Sequence, residues 1–279
     1  MVTSDGIRDK GGIVLVGAGN LAVNLGLALH RKGYSVRQVY SRTEEAARTL
    51  AERLSADHTT SPEQICDDAG LYIVALKDSV LTELIPQITA GRPDALFVHT
   101  AGSMPMDVWA GHARRYGVFY PMQTFSKARP TDFGGIPVFV EANGADDLSL
   151  LRSLAQDLSG RVYVFSSEKR RLLHLAGVFA CNFTNHLYVI TEELLAAHGI
   201  PFEVMLPLID ETAAKVHGLS PREAQTGPAV RYDLNVIGKH LDLLADRPEM
   251  QQLYRLLSES IHRISENNEE RRRYEYHQL

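Results

Sequence analysis

The stretch "IVLVGAGNLA", residues 13–22, decides how this chain is interpreted. Its apolar run leads into Gly17, Gly19 and Ala22, which have the G-x-G-x-x-A spacing of a dinucleotide-binding turn between a strand and a helix. Gly17 permits the tight turn, Gly19 lets backbone approach a phosphate, and the N–H groups of the new helix attract it. We therefore predict a pyrophosphate site, with a glycine-rich corner that binds nothing as the alternative. The predicted contacts are Gly17, Gly19, Asn20, Leu21 and Ala22.

Short apolar runs alternate with helical stretches over the first part of the chain. The predicted strands are residues 13–18, 35–41, 71–76, 96–101, 118–122, 137–142 and 161–165. Helix starts are indicated by the capping pattern of Ser61 to Gln64, by Asp78, and by Thr43 or Ser41. Continuous apolar strands are typical of a sheet covered on both faces. The alternation predicts an α/β fold with a doubly wound, mainly parallel Rossmann sheet.

The strand signals stop after residue 166. Residues 168–199 are predicted to form one long helix ended by Gly199, and residues 201–218 a second helix, kinked at Pro207. Further helices are predicted at 233–244 and 247–266, with a capping pattern at Ser220. We expect a Rossmann domain over residues 1–165 and an all-helical domain for substrate binding and dimerisation over residues 166–279.

Composition excludes several classes of protein. A formal charge of −5 gives no basic bias, so nucleic acid is not expected as a partner. No apolar run is long enough to span a membrane, and the polar first residues lack the apolar core of a signal peptide. Cys66 and Cys181 form neither a disulfide framework nor a metal-ligand pattern. We expect a cytoplasmic protein without a metal.

The end of the second predicted strand indicates which dinucleotide is bound. An NAD site carries Asp or Glu there, about 20 residues beyond the glycines. This chain instead has Ser41, Arg42 and Thr43. A guanidinium with two hydroxyl groups and a new helix N-terminus attracts the 2′-phosphate of NADP. NADP is therefore predicted rather than NAD or S-adenosylmethionine, and an arginine that only solvates the loop is the alternative.

Several further motifs resemble one oxidoreductase superfamily. Its members include pyrroline-5-carboxylate reductases, deazaflavin-dependent NADP reductases, and 6-phosphogluconate and β-hydroxyacid dehydrogenases. The amino-terminal motifs are "VGAGNLA", the "SR" after the second strand, "IVALKDSVL", "HTAGS" and "YPMQTFS". The motifs "AGVFACNFTNHL" and "TGPAVRYDLNVIGKHLDLL" resemble the helical domain of a bacterial group of NADP oxidoreductases, a domain of unassigned function. The resemblance covers residues 12–265 and implies the fold and NADP, but no substrate.

The resemblance also implies which residues contact the nicotinamide half of the cofactor. They lie at the ends of two strands, with Ala75, Leu76 and Lys77 beside the ribose and Thr100, Ala101 and Gly102 beside the ring. Ligands in open α/β sheets lie beyond the carboxyl ends of the strands, which agrees with this placement. For Lys77 and Asp78, a solvated turn and a helix cap are the alternative.

The long predicted helix carries a polar group of candidates. Asn182, Asn185 and His186 are spaced i, i+3 and i+4, which places them on one face of an apolar α-helix, and Glu193 falls near the same line. Asn182 would hold a substrate carbonyl or hydroxyl group beside the nicotinamide. Hydrogen bonds to neighbouring backbone in the core or a dimer interface are the alternative, because unpaired buried polar groups cost about 1–3 kcal/mol each.

The relatives also limit the chemistry. β-Hydroxyacid dehydrogenases place a catalytic lysine four residues before the equivalent Asn, where this chain has Val178. Simple 3-hydroxyacid oxidation is therefore disfavoured. Reduction of an iminium needs less acid assistance, because its carbon is already activated, and remains chemically admissible.

Other polar residues near strand ends are weaker candidates. His99 could transfer a proton, with a satisfied structural histidine as the alternative. Gln123, with Thr124 and Ser126, could bind the substrate or make only the bonds of its own loop. Arg231 could bind a substrate carboxylate and Asp233 could cap a helix. The alternative is an Arg–Asp pair that only stabilises the turn.

Together these features predict an NADP(H)-dependent oxidoreductase that transfers hydride to or from a small polar metabolite, an imine or a carbonyl compound. The alternative is an NADP-binding, redox-responsive regulator without catalysis, which the missing lysine favours. The helical half is expected to close the cleft and to form a homodimer, because the runs "LAGVFA" and "LYVI" cover more than one face of the long helix.

Overall fold

The computed structural model describes the backbone of residues 11–276 and the side chains of residues 11–266. The segment 1–10, on which the signal-peptide argument depends, lies outside these residues. The chain divides into two compact units, one ending at Asn182 and one beginning at Phe183. The domain boundary expected after residue 165 follows the last predicted strand and stays a proposal.

The first unit is built on one eight-stranded sheet with the strand order β3-β2-β1-β4-β5-β6-β7-β8. The strands are β1 Ile13–Val16, β2 Val36–Tyr40, β3 Asp57–Thr59, β4 Leu71–Val74, β5 Leu96–His99, β6 Arg115–Pro121, β7 Val138–Ala142 and β8 Val162–Val164. Strands β1 to β6 are parallel, whereas β7 is antiparallel to β6 and parallel to β8. The predicted doubly wound, mainly parallel sheet is confirmed. Strand β3 was not predicted, because the three polar residues "DHT" carry no hydrophobic pattern.

Five helices follow the strands of this unit, and they bury both faces of the sheet. They are α1 Asn20–Arg31, α2 Glu44–Leu54, α3 Asp78–Thr89, α4 Ala145–Leu158 and α5 Ser167–Gly177. Apolar residues of α1, α2 and α4 pack against one face, and those of α3 pack against the other. Strands β1, β4 and β5 are buried throughout, which explains why each is a continuous apolar run.

Two of the predicted helix starts are wrong in detail. Residues Pro62–Gln64 form only a single 3₁₀ turn, and the Ser61 hydroxyl donates to the Glu63 carboxylate instead of capping a helix. Asp78 is the first residue of α3 and Lys77 is its N-cap. The Asp78 carboxylate accepts a hydrogen bond from the Ser103 hydroxyl, so a tertiary contact replaces the predicted local one.

The predicted long helix is continuous in sequence but contains a π-helix, Val178–Phe183, between α5 and α6, Thr184–Ala196. A π-helix bonds residue i to i+5, so the side-chain spacing of an α-helix does not hold through it. Asn182 lies in this π-helix and the residues three and four positions later lie in α6, so the expectation that they share one face stays a prediction. Hydrophobic periodicity does not distinguish the two kinds of helix over so short a segment.

The second unit is entirely helical in the part that the structure describes. It contains α6, α7 Leu206–Lys215, α8 Pro221–Ala224, α9 Leu234–Leu243 and α10 Pro248–Tyr276. A 3₁₀ turn, Phe202–Met205, precedes α7, and Pro207 lies in the first turn of that helix. The predicted kink at Pro207 is wrong, because the first turn tolerates proline. The capping box at Ser220 is formed as predicted, and no described helix is long and apolar enough to cross a membrane.

Candidate nucleotide-binding and reaction site

The glycine turn after β1 is held between the ends of two neighbouring strands. The Gly17 N–H donates to the Tyr40 carbonyl at 2.7 Å, and the Ala75 N–H donates to the Val16 carbonyl at 2.8 Å. Gly17 has a φ of +124°, and a Cβ there would lie 2.4 Å from the Ala75 carbonyl oxygen. Only glycine fits this position, because both the backbone conformation and the contact exclude a side chain.

The N-terminus of α1 is open toward solvent. Gly19 is the N-cap in extended backbone, and a Cβ built on it would meet no described atom within 4 Å. No side chain in the described part of the chain caps this end, and its first turn holds no acidic residue. The first N–H groups of a helix have no acceptor within the helix. The N–H groups from Asn20 to Ala22 thus face space that suits the pyrophosphate of a dinucleotide.

A pocket of about 350 Å³ lies beside this turn. Its lining includes Ala18, Thr43, Glu45, Arg53 and Lys127. The Ser41 hydroxyl accepts from the Thr43 N–H at 3.3 Å, and Arg42 between them is exposed. The structure therefore brings the residues after β2 next to the glycine turn, as a nucleotide site requires. Lys127 was missed by sequence analysis, because it arrives from the loop after β6.

Residues at the ends of β1, β4 and β5 lie side by side. The Thr100 N–H donates to the Val74 carbonyl at 3.1 Å, and the Ala75 N–H donates in the same way to the Val16 carbonyl of the next strand. Leu76 is half-buried beside Gly17, and Lys77 is exposed. The carboxyl edge of the sheet thus collects the turn and the two segments expected to flank the nicotinamide half.

His99, at the end of β5, is engaged on both sides of its ring. Nδ1 accepts from the Ala101 N–H at 3.2 Å, so Nε2 carries the hydrogen and donates to the Pro105 carbonyl at 3.2 Å. The residue is 0% exposed, and burial lowers its pKa to about 4. The imidazole is therefore neutral, and this geometry favours the structural alternative for His99.

An arginine that sequence analysis did not identify holds the loop after β5. Arg170 is 1% exposed; it pairs with the Glu141 carboxylate at 2.6 Å and donates to the Ala101 carbonyl at 3.3 Å and to the Met104 carbonyl. Ser167 completes the cluster, because its hydroxyl donates to Glu141 at 2.8 Å. In the sequence, Arg170 lies in the charged run "EKRR" and resembles a surface residue. The cluster fixes the backbone expected to lie beside the nicotinamide ring.

A second positioning residue, Asn24 on α1, was also missed. This buried side chain donates to the Ser126 carbonyl at 3.0 Å and accepts from the Thr131 N–H at 3.0 Å. It therefore ties the loop after β6 to the helix that begins at the glycine turn. In that loop the exposed Gln123 accepts from the Thr124 N–H at 2.8 Å, a bond within the loop itself.

The polar candidates of the long helix are exposed in this chain. Asn182 lies in the π-helix at the end of the first unit, whereas Asn185, His186 and Glu193 belong to the second unit. The argument that burial forces them into hydrogen bonds therefore does not apply to the single chain.

The remaining candidates lie in the second unit. Asp233 is the N-cap of α9, where its carboxylate accepts from the Val236 N–H at 3.2 Å, and Arg231 is exposed. The predicted capping role of Asp233 is confirmed. Within the described residues, no group of three His, Cys, Asp or Glu side chains could hold a metal ion.

Two protein families match consecutive parts of the chain. Residues 12–102 match the family described as NADP oxidoreductase, coenzyme F420-dependent. Residues 136–261 match a domain of unknown function, DUF2520. None of the curated proteins matches the chain.

Solved structures resemble the chain over most of its length. A Bacteroides fragilis protein described as a putative NADP oxidoreductase is 59% identical, with a TM-score of 0.88; the match covers 91% of this chain and 99% of that one. An imine reductase from Myxococcus stipitatus in complex with NADP⁺ is 18% identical, with a TM-score of 0.64 and coverage of 92% and 94%. A reductive aminase from Aspergillus terreus with NADPH and ethyl-5-oxohexanoate is 15% identical, with a TM-score of 0.59 and coverage of 84% and 78%. The last two establish a shared fold.

Proposed function

This chain belongs to the NADP oxidoreductase family of the Bacteroides fragilis protein, and from that premise we propose that it reduces or forms a C=N or C=O bond in a small polar metabolite. NADP is the cofactor, and when bound it supplies or accepts the hydride. The observation that carries the proposal is the uncapped N-terminus of α1 beside Gly19, at the edge where β1 and β4 end.

The cofactor-binding residues fall into three groups along that edge. The pyrophosphate contacts are Gly17, Gly19, Asn20, Leu21 and Ala22; the 2′-phosphate contacts are Ser41, Arg42, Thr43 and Lys127; the nicotinamide half lies beside Ala75, Leu76, Lys77, Thr100 and Ala101. The exposed Arg42 supplies the positive charge directly after β2. Lys127 and Arg53 add positive charge in the adjoining pocket, where Glu45 is the opposing charge.

Imine reduction is the favoured reaction. Val178 occupies the place of the lysine that would serve as acid for a carbonyl, and reduction of a C=N bond needs less acid assistance than reduction of a C=O bond. An imine reductase and a reductive aminase are among the proteins that share the fold, which supports this choice. We assign Asn182 and Gln123, both exposed, to orienting the polar group of the substrate.

A non-catalytic NADP-binding regulator is the second candidate. It is favoured by the bonding of both His99 ring nitrogens, which leaves that residue no free position for proton transfer. A panel of imines and carbonyl compounds, including cyclohexanone with allylamine, distinguishes the two functions. Substrate-dependent loss of NADPH absorbance supports the enzyme, and tight NADPH binding without turnover across the panel supports the regulator.

The cofactor assignment is tested by titrating the fluorescence of Trp109, the sole tryptophan, with NADPH and NADH. Losing a charged hydrogen bond costs about 1.5–3 kcal/mol, so we expect Arg42→Asp to weaken NADPH binding by about 10- to 100-fold and NADH binding far less. The matched control is Arg48→Asp, an exposed arginine of α2 beside Glu52. Equal affinity for both cofactors, or an unchanged preference in Arg42→Asp, would show that the assignment is wrong.

The helical part is proposed to form a homodimer in the cytoplasm. Large apolar side chains are exposed on its helices, and dimerisation would bury them. The two cysteines are free thiols, as is usual in a reducing compartment.

A further inference from the structure

We propose that Tyr120 and His174 form the proton-donating pair of this reaction, an inference that rests on the proposed function. Tyr120 lies near the end of β6, the strand next to β5, and His174 lies on α5. Tyr120 Oη and His174 Nδ1 share a hydrogen bond of 3.3 Å. Their rings meet edge to face, with centroids 6.3 Å apart. Neither residue stands out in the sequence, because 54 positions separate them.

The pair lies against the segment assigned to the nicotinamide ring. A Cβ at Gly102 would be 2.6 Å from His174 Nδ1 and 2.9 Å from Tyr120 Cζ. Gly102 directly follows Thr100 and Ala101 at the end of β5, so its missing side chain lets the pair approach this backbone. The pair therefore lies directly against the backbone segment that is assigned to the nicotinamide ring.

The surroundings of Tyr120 keep its hydroxyl in the protonated form that can donate a proton. Tyr120 is 9% exposed, and burial raises its pKa, so the hydroxyl stays protonated at neutral pH. Arg170, held by Glu141, partly opposes that rise and would stabilise a phenolate as it forms. In the described region, His174 is the ionisable side chain that shares a hydrogen bond with Tyr120. His174 is half-buried, so part of its side chain is accessible to solvent.

The step balances with one proton taken from water. In a neutral imine or carbonyl compound, the substrate carbon accepts the hydride supplied by NADPH while the π bond of C=N or C=O breaks and its electron pair moves to the nitrogen or oxygen. That atom takes the Tyr120 Oη proton, and Oη takes a proton from Nδ1 of the His174 imidazolium. Solvent then reprotonates His174. NADPH is oxidised to NADP⁺ and the substrate is reduced by two electrons.

The first test does not depend on turnover. The His174 ring resonance is followed by NMR at one pH without cofactor, with NADPH and with NADP⁺, and is assigned by its loss in His174→Gln. A nicotinamide ring bound at the assigned position should shift this resonance, whereas the resonance of the exposed His198 should not respond.

The outcomes separate the two proposals. An identical His174 ring resonance in all three states, with cofactor binding demonstrated by Trp109 fluorescence, would overturn the pair and leave the proposed function intact. Failure of both cofactors to bind would overturn the proposed function and the pair with it.

The second test uses the turnover of cyclohexanone with allylamine, or of whichever panel compound is reduced. General acid catalysis contributes about 10²–10⁴-fold, so Tyr120→Phe should lower kcat by that factor, with little change in the NADPH dissociation constant. His174→Gln should also lower kcat, because it removes the partner that returns a proton to Tyr120. Tyr163→Phe, at an exposed position on β8, is the matched control. A kcat for Tyr120→Phe close to that of the wild type would exclude the pair as the proton source.

Discussion

At the residue scale, the loop after β5 is held by side chains that are themselves buried. His99 bonds the backbone of Ala101 and Pro105, and Arg170 bonds the backbone of Ala101 and Met104. Removing one member of a buried ion pair such as Arg170 with Glu141 typically costs about 3–5 kcal/mol, because the other charge remains buried. Contacts within the protein therefore fix the conformation of this loop.

The buried His99 should make stability depend on pH. Its pKa is about 4 in the folded protein and 6.5 in the unfolded chain, so the unfolded chain binds the proton first. This contribution is complete above pH 6.5 and is lost as pH falls toward 4, up to about 3 kcal/mol in total. Urea unfolding of the wild type and of His99→Gln measures it as a difference in the free energy of unfolding.

That difference should shrink as the pH is lowered through this window, since the variant has no ring to protonate. A difference between the two proteins that stays constant from pH 7 to pH 4 would contradict a neutral, buried His99. The comparison with His99→Gln cancels the titration of the other histidines.

At the element scale, the turn between the strand and the helix of residues 13–31 contains one glycine required for folding and another assigned to binding. The turn at Gly17 is required by the fold, because its φ is positive and Ala75 lies against it. The turn at Gly19 has extended backbone and open space around it. Two glycines of one motif therefore serve different purposes: the first closes the corner and the second leaves room for a phosphate.

Substitution by alanine should distinguish these roles. Gly17→Ala should lower the free energy of unfolding by about 1–3 kcal/mol or more, because it forces a strained backbone and a clash with Ala75. Gly19→Ala should change it by no more than about 0.5 kcal/mol, as at other surface positions. The same Gly19→Ala should weaken NADPH binding by about tenfold, equivalent to about 1.4 kcal/mol, since its methyl group enters the phosphate space.

Thermal and urea unfolding of both variants measure the free energy of unfolding, and fluorescence titration measures NADPH binding. If Gly19→Ala bound NADPH as tightly as the wild type, the pyrophosphate would not lie where we assign it.

At the scale of the whole molecule, the helical unit leaves much apolar surface uncovered. Its exposed large side chains include Val204, Leu206, Leu208, Val216, Leu219, Leu234 and Leu243. Burying such a side chain gives about 1.5–3 kcal/mol, so a surface of this kind favours association. The proposed homodimer accounts for residues that a monomer would leave in water.

Leu208, which is 60% exposed on α7, provides a test of that dimer. Leu208→Asp should shift the protein toward monomer in size-exclusion chromatography with light scattering, because a buried carboxylate opposes association. Arg152→Asp, at an exposed site on α4 of the sheet unit, should leave the mass unchanged. A wild-type protein that is monomeric at micromolar concentration would rule the dimer out.

The sequence alone determined the features whose causes are local. The apolar run before Gly17 predicts a buried strand and its corner, and Ser41 to Thr43 predict NADP, because each signal lies within one turn or strand. The π-helix was not predicted, because the hydrophobic pattern of an α-helix describes its short segment equally well. Only the tertiary structure joined Arg170 to Glu141, Asn24 to Thr131 and Tyr120 to His174. These partners lie far apart in the chain, and the order of the strands, which no local pattern encodes, brings them together.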